Sequence, residues 1–190
     1  MKNLEEKIFD YLSKHLSPKR FEHSYEVARL AVELAEIHGQ NVLKAQTAGL
    51  LHDCAKYMSD KKLLKLLKGT KASYFLEIAR RAPQLLHGYA AAAIAKKEFG
   101  IKDKSVLNAM ANHTFARPGM DALEKIIFIS DFAAYDRKYK SAARIRVIAK
   151  KNLDKAFIEA VKQKIKWVIE DGAWMCPMTT DVWNFYGAEN

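Results

Sequence analysis

Residues 50–56, with the sequence LLHDCAK, place a histidine and an aspartate side by side at the end of a strongly apolar helical run. A neutral histidine is tolerated in a protein core. A carboxylate beside it is expensive to bury unless a cation or a hydrogen-bond donor compensates. His52 and Asp53 therefore predict a compensating group where the core begins.

Four of the six histidines fall on the apolar faces of predicted helices. His23, for example, precedes Val27 and Leu30 at helical spacing, so its imidazole should face inward. The polar side chains that share this property are His23, His52, Asp53, His87, His113 and Asp131. Any one of these histidines taken singly is more often a core residue hydrogen-bonded to a backbone carbonyl than a metal ligand. Taken together, these imidazoles and carboxylates favour a shared metal ion, which removes their desolvation cost and orients them.

The types of these side chains narrow the choice of metal. Imidazole and carboxylate ligands suit iron, manganese or zinc, and thiolate does not belong to the pattern. Cys54 lies on another face of its helix and is interpreted as small core filler. The two cysteines, Cys54 and Cys176, are too few for a disulfide framework, so we expect reduced thiols in a cytoplasmic protein.

Composition excludes several classes of protein. A chain of 190 residues is long enough for one domain, residues 1–190. The N-terminus is acidic and no run approaches the ~18 apolar residues of a membrane span, so we expect neither export nor a membrane. The net charge of +10 selects anionic partners, but scattered lysines without a known binding signature argue against nucleic acid.

Helical periodicity dominates the chain, so the predicted fold is all-α. Capping residues, prolines and glycines mark the helix ends, including a capping box formed by Asp121 and Glu124. The predicted helices with two defined ends cover about residues 3–15, 18–39, 60–68, 73–81, 83–99, 103–113, 141–150 and 153–170. One more helix begins near residue 41 and contains the LLHDCAK stretch, and another begins at residue 121. An aromatic C-terminal segment, WMCPMTTDVWNFY, should pack back onto the body.

Several stretches carry a family resemblance, and they span about residues 20–186. They are RFEHS at Arg20, LLHDCAK at Leu50, LHG at Leu86, NHTFARPGM at Asn112, LEKIIFISD at Leu123, IR at Ile145 and PMTTDVWN at Pro177. In this order they resemble the HD-domain metal-dependent phosphohydrolases, and within them the bacterial YqeK-type symmetrical diadenosine tetraphosphatases. The resemblance implies an HD-domain helical bundle with the metal site at its centre. Its core should cover about residues 18–138, with C-terminal helices in 139–190 packing on it.

The resemblance also implies roles for the polar side chains. His23, His52, Asp53 and Asp131 should hold a metal ion, iron first, with manganese, zinc or another divalent metal as alternatives. His87 and His113 have two possible roles. They complete a second metal site with Asp53 bridging, or they contact the phosphate chain and protonate the leaving oxygen. Asp53, His87 and His113 are the predicted catalytic residues.

A polyphosphate substrate requires further cations. Arg20 and Lys56 each share a helix face with a proposed ligand, and Arg137 follows Asp131 closely enough to turn back. Arg117 is a poorer candidate. The predicted substrate contacts are Arg20, Lys56, His87, His113, Arg137, Thr179 and Asn184. For Trp174, Trp183 and Phe185, a place in the core is favoured over stacking on a base.

The implied reaction is hydrolysis of diadenosine tetraphosphate to two ADP molecules, by a protein that could form a homodimer. The alternatives are another nucleotide phosphohydrolase, such as a nucleotidase or a nucleoside triphosphatase, and a nucleotide-sensing or RNA-associated module without turnover. The Ala134-Tyr135 change and the basic net charge motivate the last alternative. The sequence departs from the family at two places. Ala116 stands where family members usually have glycine, and Ala134-Tyr135 where they have a Glu-Pro pair.

Overall fold

The computed structural model describes residues 3–70 and 74–187, and within these ranges it contains helices and no β-strand. The α-helices are α1 Leu4–His15, α2 Pro18–Ile37, α3 Val42–Leu51, α4 Asp60–Leu66, α5 Phe75–Arg81, α6 His87–Phe99, α7 Lys104–Asn112, α8 Ala122–Ala133, α9 Lys140–Ala149, α10 Leu153–Glu170 and α11 Pro177–Tyr186. A short 3-10 helix, Pro83–Leu86, precedes α6. The prediction of an all-α fold is confirmed.

The predicted helix starts are confirmed where a polar side chain caps the helix. Ser17 accepts a hydrogen bond from the backbone N–H of Arg20, and Pro18 occupies the first turn of α2. At the start of α8, Asp121 and Glu124 form the predicted capping box. The start predicted at Ser73 lies outside the described residues.

The LLHDCAK stretch departs from the predicted helix. Helix α3 ends at Leu51, and tight turns follow, in which the N–H of Cys54 donates to Leu51 O and the N–H of Lys56 donates to Asp53 O. Adjacent side chains of an α-helix point about 100° apart, so they diverge from a common point. The tighter turns allow both His52 and Asp53 to be buried, at 0% and 1% exposure.

Helix α8 forms the centre of the bundle. Its residues Ile126–Ile129 are all buried, and α2, α3, α7, α9 and α10 pack around it. Two glycines permit close packing beside the polar cluster. A Cβ on Gly49 of α3 would lie 2.6 Å from the Cα of Ala28, and a Cβ on Gly88 of α6 would lie 2.8 Å from Ala111 O.

The C-terminal segment packs back onto the body, as predicted. Helix α11 contacts α10 and buries Met178 and Val182. Trp167 of α10 stacks on Phe132 of α8, with ring centroids 5.2 Å apart. Among the described residues, no helix is both long and apolar enough to cross a bilayer.

Candidate metal centre

The structure brings six predicted side chains together at one end of the central helices. Four lie at helix ends, because His52 and Asp53 follow α3, His113 follows α7 and His87 begins α6. The other two lie within α2 and α8. We call this set the metal centre: His23, His52, Asp53, His87, His113 and Asp131. All except Asp131 are at most 3% exposed, and the Asp131 side chain is 16% exposed.

The four imidazoles form a continuous row. Ring centroids are 5.6 Å apart between His23 and His52 and 4.9 Å apart between His52 and His113. His87 completes the row, 5.0 Å from His113. Helices α2, α3, α6 and α7 thus contribute adjacent rings.

Three of the histidines are oriented by a backbone carbonyl three residues earlier. The Nδ1–H of His52 donates to Gly49 O at 2.7 Å, that of His113 to Met110 O at 2.7 Å and that of His87 to Gln84 O at 2.8 Å. A carbonyl only accepts hydrogen bonds, so Nδ1 carries the hydrogen in each ring. The Nε2 atom of each neutral ring then presents a lone pair to the centre.

His23 is oriented differently, by a carboxylate. Its Nδ1 lies 2.9 Å from Oδ2 of Asp136, in the loop after α8. On the other side of the ring, Nε2 lies 3.1 Å from Oδ1 of Asp131. His23 therefore connects the end of α8 to the loop that follows it.

Asp53 is surrounded by positive and polar groups. Its Oδ2 accepts a hydrogen bond from Nη1 of Arg20 at 2.8 Å. Its Oδ1 lies 3.0 Å from Nε2 of His87 and 3.5 Å from Nε2 of His113. Burial acts to raise the pKa of Asp53, but His52, His113 and His87 outweigh it and hold that pKa well below its usual range.

Burial and neighbouring charges also shift the pKa values of Asp131, His52 and His113. Burial acts to raise the pKa of Asp131, yet His23 and the Lys164 ammonium hold it well below its usual range. Burial acts to lower the pKa of His52, but the charge of Asp53 outweighs it and the net direction is upward. For His113, burial prevails and lowers the pKa to about 4. His113 is therefore a neutral ring at neutral pH.

The centre fits a divalent metal ion. Two buried atoms, Nε2 of His52 and Oδ1 of Asp53, have no hydrogen-bond partner among the described residues. Two sets of donor atoms lie within 4.8 Å of one another, His23–His52–Asp131 and His52–Asp53–His113. Buried nitrogen and oxygen donors without other partners are the donor set that metals such as iron, manganese and zinc accept. An ion would remove the cost of leaving them unpaired.

The three cations predicted to bind phosphate all lie at the centre. Arg20 contacts Asp53, as described above, and Nζ of Lys56 lies 3.2 Å from Nε2 of His87. Nη2 of Arg137 lies 3.2 Å from both Oδ1 of Asp131 and Nε2 of His23. Each side chain remains 23–33% exposed, so each contacts the centre and also faces solvent.

A cavity of about 320 Å³ opens beside the metal centre. His87, His113 and Asp131 form one side of it. α10, α11 and the segment between them contribute further lining residues, which we call the pocket wall: Lys164, Trp167, Trp174 and Thr179. The volume and the combination of aromatic, aliphatic and charged lining residues are compatible with a small-molecule site.

Four residues considered from the sequence lie elsewhere. Asn184 is exposed on α11 and does not line the cavity, so the structure does not support its prediction as a substrate contact. α11 turns its Thr179 toward the cavity and its later residues away from it. Phe185 packs against Tyr186 but is 60% exposed, so the prediction that it lies in the core is wrong. Trp183 is partly buried and lies near Lys162. Arg117 is paired with the buried carboxylate of Glu124.

Sequence reasoning missed two residues of the site, Lys164 and Asp136. Nζ of Lys164 lies 3.8 Å from Oδ2 of Asp131 and 4.0 Å from the centroid of the Phe128 ring. The spacing of Lys164 could have identified it. Val161 follows the buried Phe157 after four residues, and Lys164 follows Val161 after three, which puts all three on one face of the helix. Asp136 lies in a loop, where no periodicity identifies inward-facing residues.

Comparison with known proteins agrees with this geometry. Residues 20–165 match the HD domain family. The chain is 32% identical to a protein of Halalkalibacterium halodurans and 33% identical to one of Staphylococcus aureus, both named symmetrical bis(5'-nucleosyl)-tetraphosphatase. The first alignment covers 94% of both chains, and the second covers 95% of this chain and 93% of the relative.

A solved structure is also similar over the full length. It is a crystal structure from Clostridium acetobutylicum, described as a predicted HD superfamily hydrolase involved in NAD metabolism. The TM-score is 0.92 at 37% sequence identity, and the alignment covers 100% of both chains.

Proposed function

The chain belongs to the HD domain family and to its symmetrical bis(5'-nucleosyl)-tetraphosphatases, and we propose that it hydrolyses diadenosine tetraphosphate to two ADP molecules. The observation that carries this proposal is the meeting of His23, His52, Asp53 and Asp131 beside a cavity of about 320 Å³. Water adds to one of the two central phosphorus atoms, the bond to the bridging oxygen between them breaks, and each half leaves as ADP.

We propose His23, His52, Asp53 and Asp131 as ligands of the metal ion, with iron as the first choice and manganese or zinc as alternatives. When bound, the metal supplies Lewis acidity for the attack of water on phosphorus. The chain contributes the orientation of the ligands. Backbone carbonyls hold three of the imidazole rings, and Arg20 holds Asp53.

His87 and His113 have two roles to be distinguished. Their Nε2 atoms lie 3.0 Å apart, and Nε2 of His87 is also 3.0 Å from Oδ1 of Asp53. Because Nδ1–H of each ring donates to a backbone carbonyl, these are three acceptor atoms facing one another. They attract positive charge, and Nζ of Lys56 already lies 3.2 Å from Nε2 of His87. We therefore propose a second ion held by Asp53, His87 and His113.

Metal content distinguishes this role from proton transfer to the leaving oxygen. Two ions per chain, reduced to one in His113→Ala, would support the second site. One ion per chain in both proteins would instead support a direct contact of His87 and His113 with the phosphate chain.

The cations around the centre match a polyphosphate anion. We propose Arg20, Lys56 and Arg137 as phosphate contacts, and we add Lys164. The first three lie against proposed ligands yet remain partly exposed, and Lys56 also lines the cavity. Lys164 lines the cavity directly and donates to the backbone carbonyl of His113. Such charge-assisted hydrogen bonds are among the stronger polar contacts to phosphate.

We propose that the pocket wall holds one nucleoside of the substrate. Trp167 and Trp174 supply apolar surface, and Thr179 supplies a hydroxyl group. One face of Trp167 is already covered by Phe132, so a base would contact its remaining surface.

The products of hydrolysis test the proposed function. Protein loaded with iron or manganese should convert diadenosine tetraphosphate to ADP as the sole nucleotide product, while His52→Ala should not. His15→Ala, which removes an exposed histidine outside the centre, is the matched control and should retain activity.

Recovery of AMP and ATP would contradict symmetrical cleavage. Faster turnover of a mononucleotide in a substrate panel would favour another nucleotide phosphohydrolase. Tight binding without hydrolysis under saturating metal would favour a sensing module.

We propose that residues 1–190 form one HD domain, that two copies form a homodimer and that the enzyme is cytoplasmic. Light scattering of the purified protein measures the assembly, and fractionation of the source cells measures the location.

A further inference from the structure

The metal centre contains two ways of orienting a histidine. His52, His87 and His113 each donate Nδ1–H to a neutral backbone carbonyl three residues away. Among these four histidines, His23 alone directs its Nδ1 to a charged group, Oδ2 of Asp136, which lies 113 positions later in the chain. A carboxylate is a stronger acceptor than a backbone carbonyl and makes the imidazole more basic toward a metal.

We propose that Asp136 is a positioning residue that fixes the tautomer and direction of His23 and thereby sets the strength of metal binding. The inference rests on the proposed role of His23 as a metal ligand. Asp136 acts through His23 and touches neither the substrate nor the metal.

The loop that carries Asp136 is held from both sides. Nη1 of Arg146 donates to the backbone carbonyls of Ala133 and Ala134. The ring of Tyr135 lies between two guanidinium groups, 4.2 Å from that of Arg29 and 5.0 Å from that of Arg146. On the other side of position 135, the N–H of Arg137 donates to Ala134 O and closes the turn that carries Asp136, so its carboxylate approaches His23 from an ordered loop.

The two oxygens of Asp136 differ in a way that supports this role. Oδ2 contacts His23, while Oδ1 is buried and has no hydrogen-bond partner among the described residues. A carboxylate kept partly buried with one oxygen unpaired is costly. Its contact with Nδ1 of His23 is the interaction that accounts for its placement.

A purely structural role predicts something different. Contacts of His23 with Asp131 and Asp136 that served folding alone would stabilise the metal-free protein and compete with metal. Removing Asp136 would then destabilise the metal-free protein and leave metal affinity unchanged or increased. The two roles predict opposite directions for metal affinity.

The test is titration of chelator-treated protein with Mn²⁺ by calorimetry. We expect Asp136→Ala to weaken Mn²⁺ binding by roughly 10–100-fold, the range typical of lost outer-shell partners of metal-binding histidines. Asp136→Asn keeps an acceptor oxygen without the charge and should lie between wild type and Asp136→Ala. Asp154→Asn removes a carboxylate on α10 that is 74% exposed and should bind Mn²⁺ like the wild type.

Thermal melts of the same metal-free proteins separate positioning from folding. Wild-type Mn²⁺ affinity in both Asp136 variants would overturn the proposal, and so would tighter binding. If Asp136→Ala does not fold, the shape-conserving Asp136→Asn decides. A visible spectrum of the Co²⁺-loaded protein should also change in Asp136→Asn, because the donor strength of His23 changes.

Failure of the proposed function gives a different result. If wild-type protein binds Mn²⁺ but does not hydrolyse diadenosine tetraphosphate, the assigned reaction is wrong while the role of Asp136 can still be measured. If hydrolysis yields ADP and both Asp136 variants bind metal like the wild type, the function stands and this inference is wrong.

Discussion

The metal centre and the pocket wall line one cavity, yet they are built differently. In the centre, three imidazoles are held by carbonyls only three residues away, so local backbone geometry orients them. In the wall, Lys164, Trp167 and Thr179 depend on how α10 and α11 pack on the bundle. The centre should therefore tolerate little change in residue type, whereas the wall can vary while the fold is kept.

Loss of a proposed ligand should have the largest effect. His52→Ala should lower turnover of diadenosine tetraphosphate by roughly 10³-fold or more, because the metal supplies several kcal/mol of transition-state stabilisation. Metal content measured by mass spectrometry should fall with it. Normal metal content together with full activity would show that the metal centre tolerates substitution as well as the pocket wall does.

Loss of the Lys164 ammonium from the pocket wall should affect turnover of the substrate more than binding of the metal. Lys164→Met should lower kcat/KM by roughly 10–100-fold, the equivalent of a hydrogen bond to a charged group. Mn²⁺ binding should be unchanged or tighter, because a positive charge 3.8 Å from Asp131 is removed.

Lys162→Met on the same helix is the matched control, since Lys162 pairs with Glu159 and does not line the cavity. An equal loss of kcat/KM in both variants would show that Lys164 does not contact the substrate. Loss of Mn²⁺ binding in Lys164→Met would instead assign this lysine to the centre.

Arg117 should affect stability without affecting chemistry. Its guanidinium pairs with Glu124, which is 0% exposed and caps α8. Arg117→Ala should lower the free energy of unfolding by about 2 kcal/mol, less than the roughly 3–5 kcal/mol of a fully buried pair, because the arginine is partly exposed. Denaturant unfolding measures this change. A large increase in KM with unchanged stability would instead make Arg117 a phosphate contact.

Ala116 should show the smallest effect. It is buried with a φ of +64°, a conformation that favours glycine. Ala116→Gly loses a buried methyl group but relieves roughly 1–2 kcal/mol of strain, so stability should hardly change. Ala109→Gly is the matched control, because it is equally buried but helical and should cost about 1–2 kcal/mol. Equal losses in both variants would show that Ala116 is not strained.

Much of the fold could be predicted from the sequence because its signals are local. Caps at Asn3, Ser17 and Asp121 mark helix starts in the sequence and in the structure. The LLHDCAK stretch was placed in a helix because periodicity reports which face is apolar but does not report where tight turns replace helical bonds. The family difference at Ala116 matches its positive φ, which sequence alone does not reveal.

The candidate site was predictable to a lesser degree. Polar residues on apolar stripes identified all six residues of the centre as a group. Asp136 was missed because a loop has no period, and its contact with His23 depends on the packing of α2 against α8. Asn184 was included from a family-like segment, but the orientation of α11 leaves it exposed.

Anomalous diffraction from crystals of iron- or manganese-loaded protein tests the central claim most directly. We predict a peak at the metal absorption edge that is coordinated by Nε2 of His23 and His52 and by the carboxylates of Asp53 and Asp131. No peak among these side chains under saturating metal, or rings turned away from one another, would contradict the proposed metal centre.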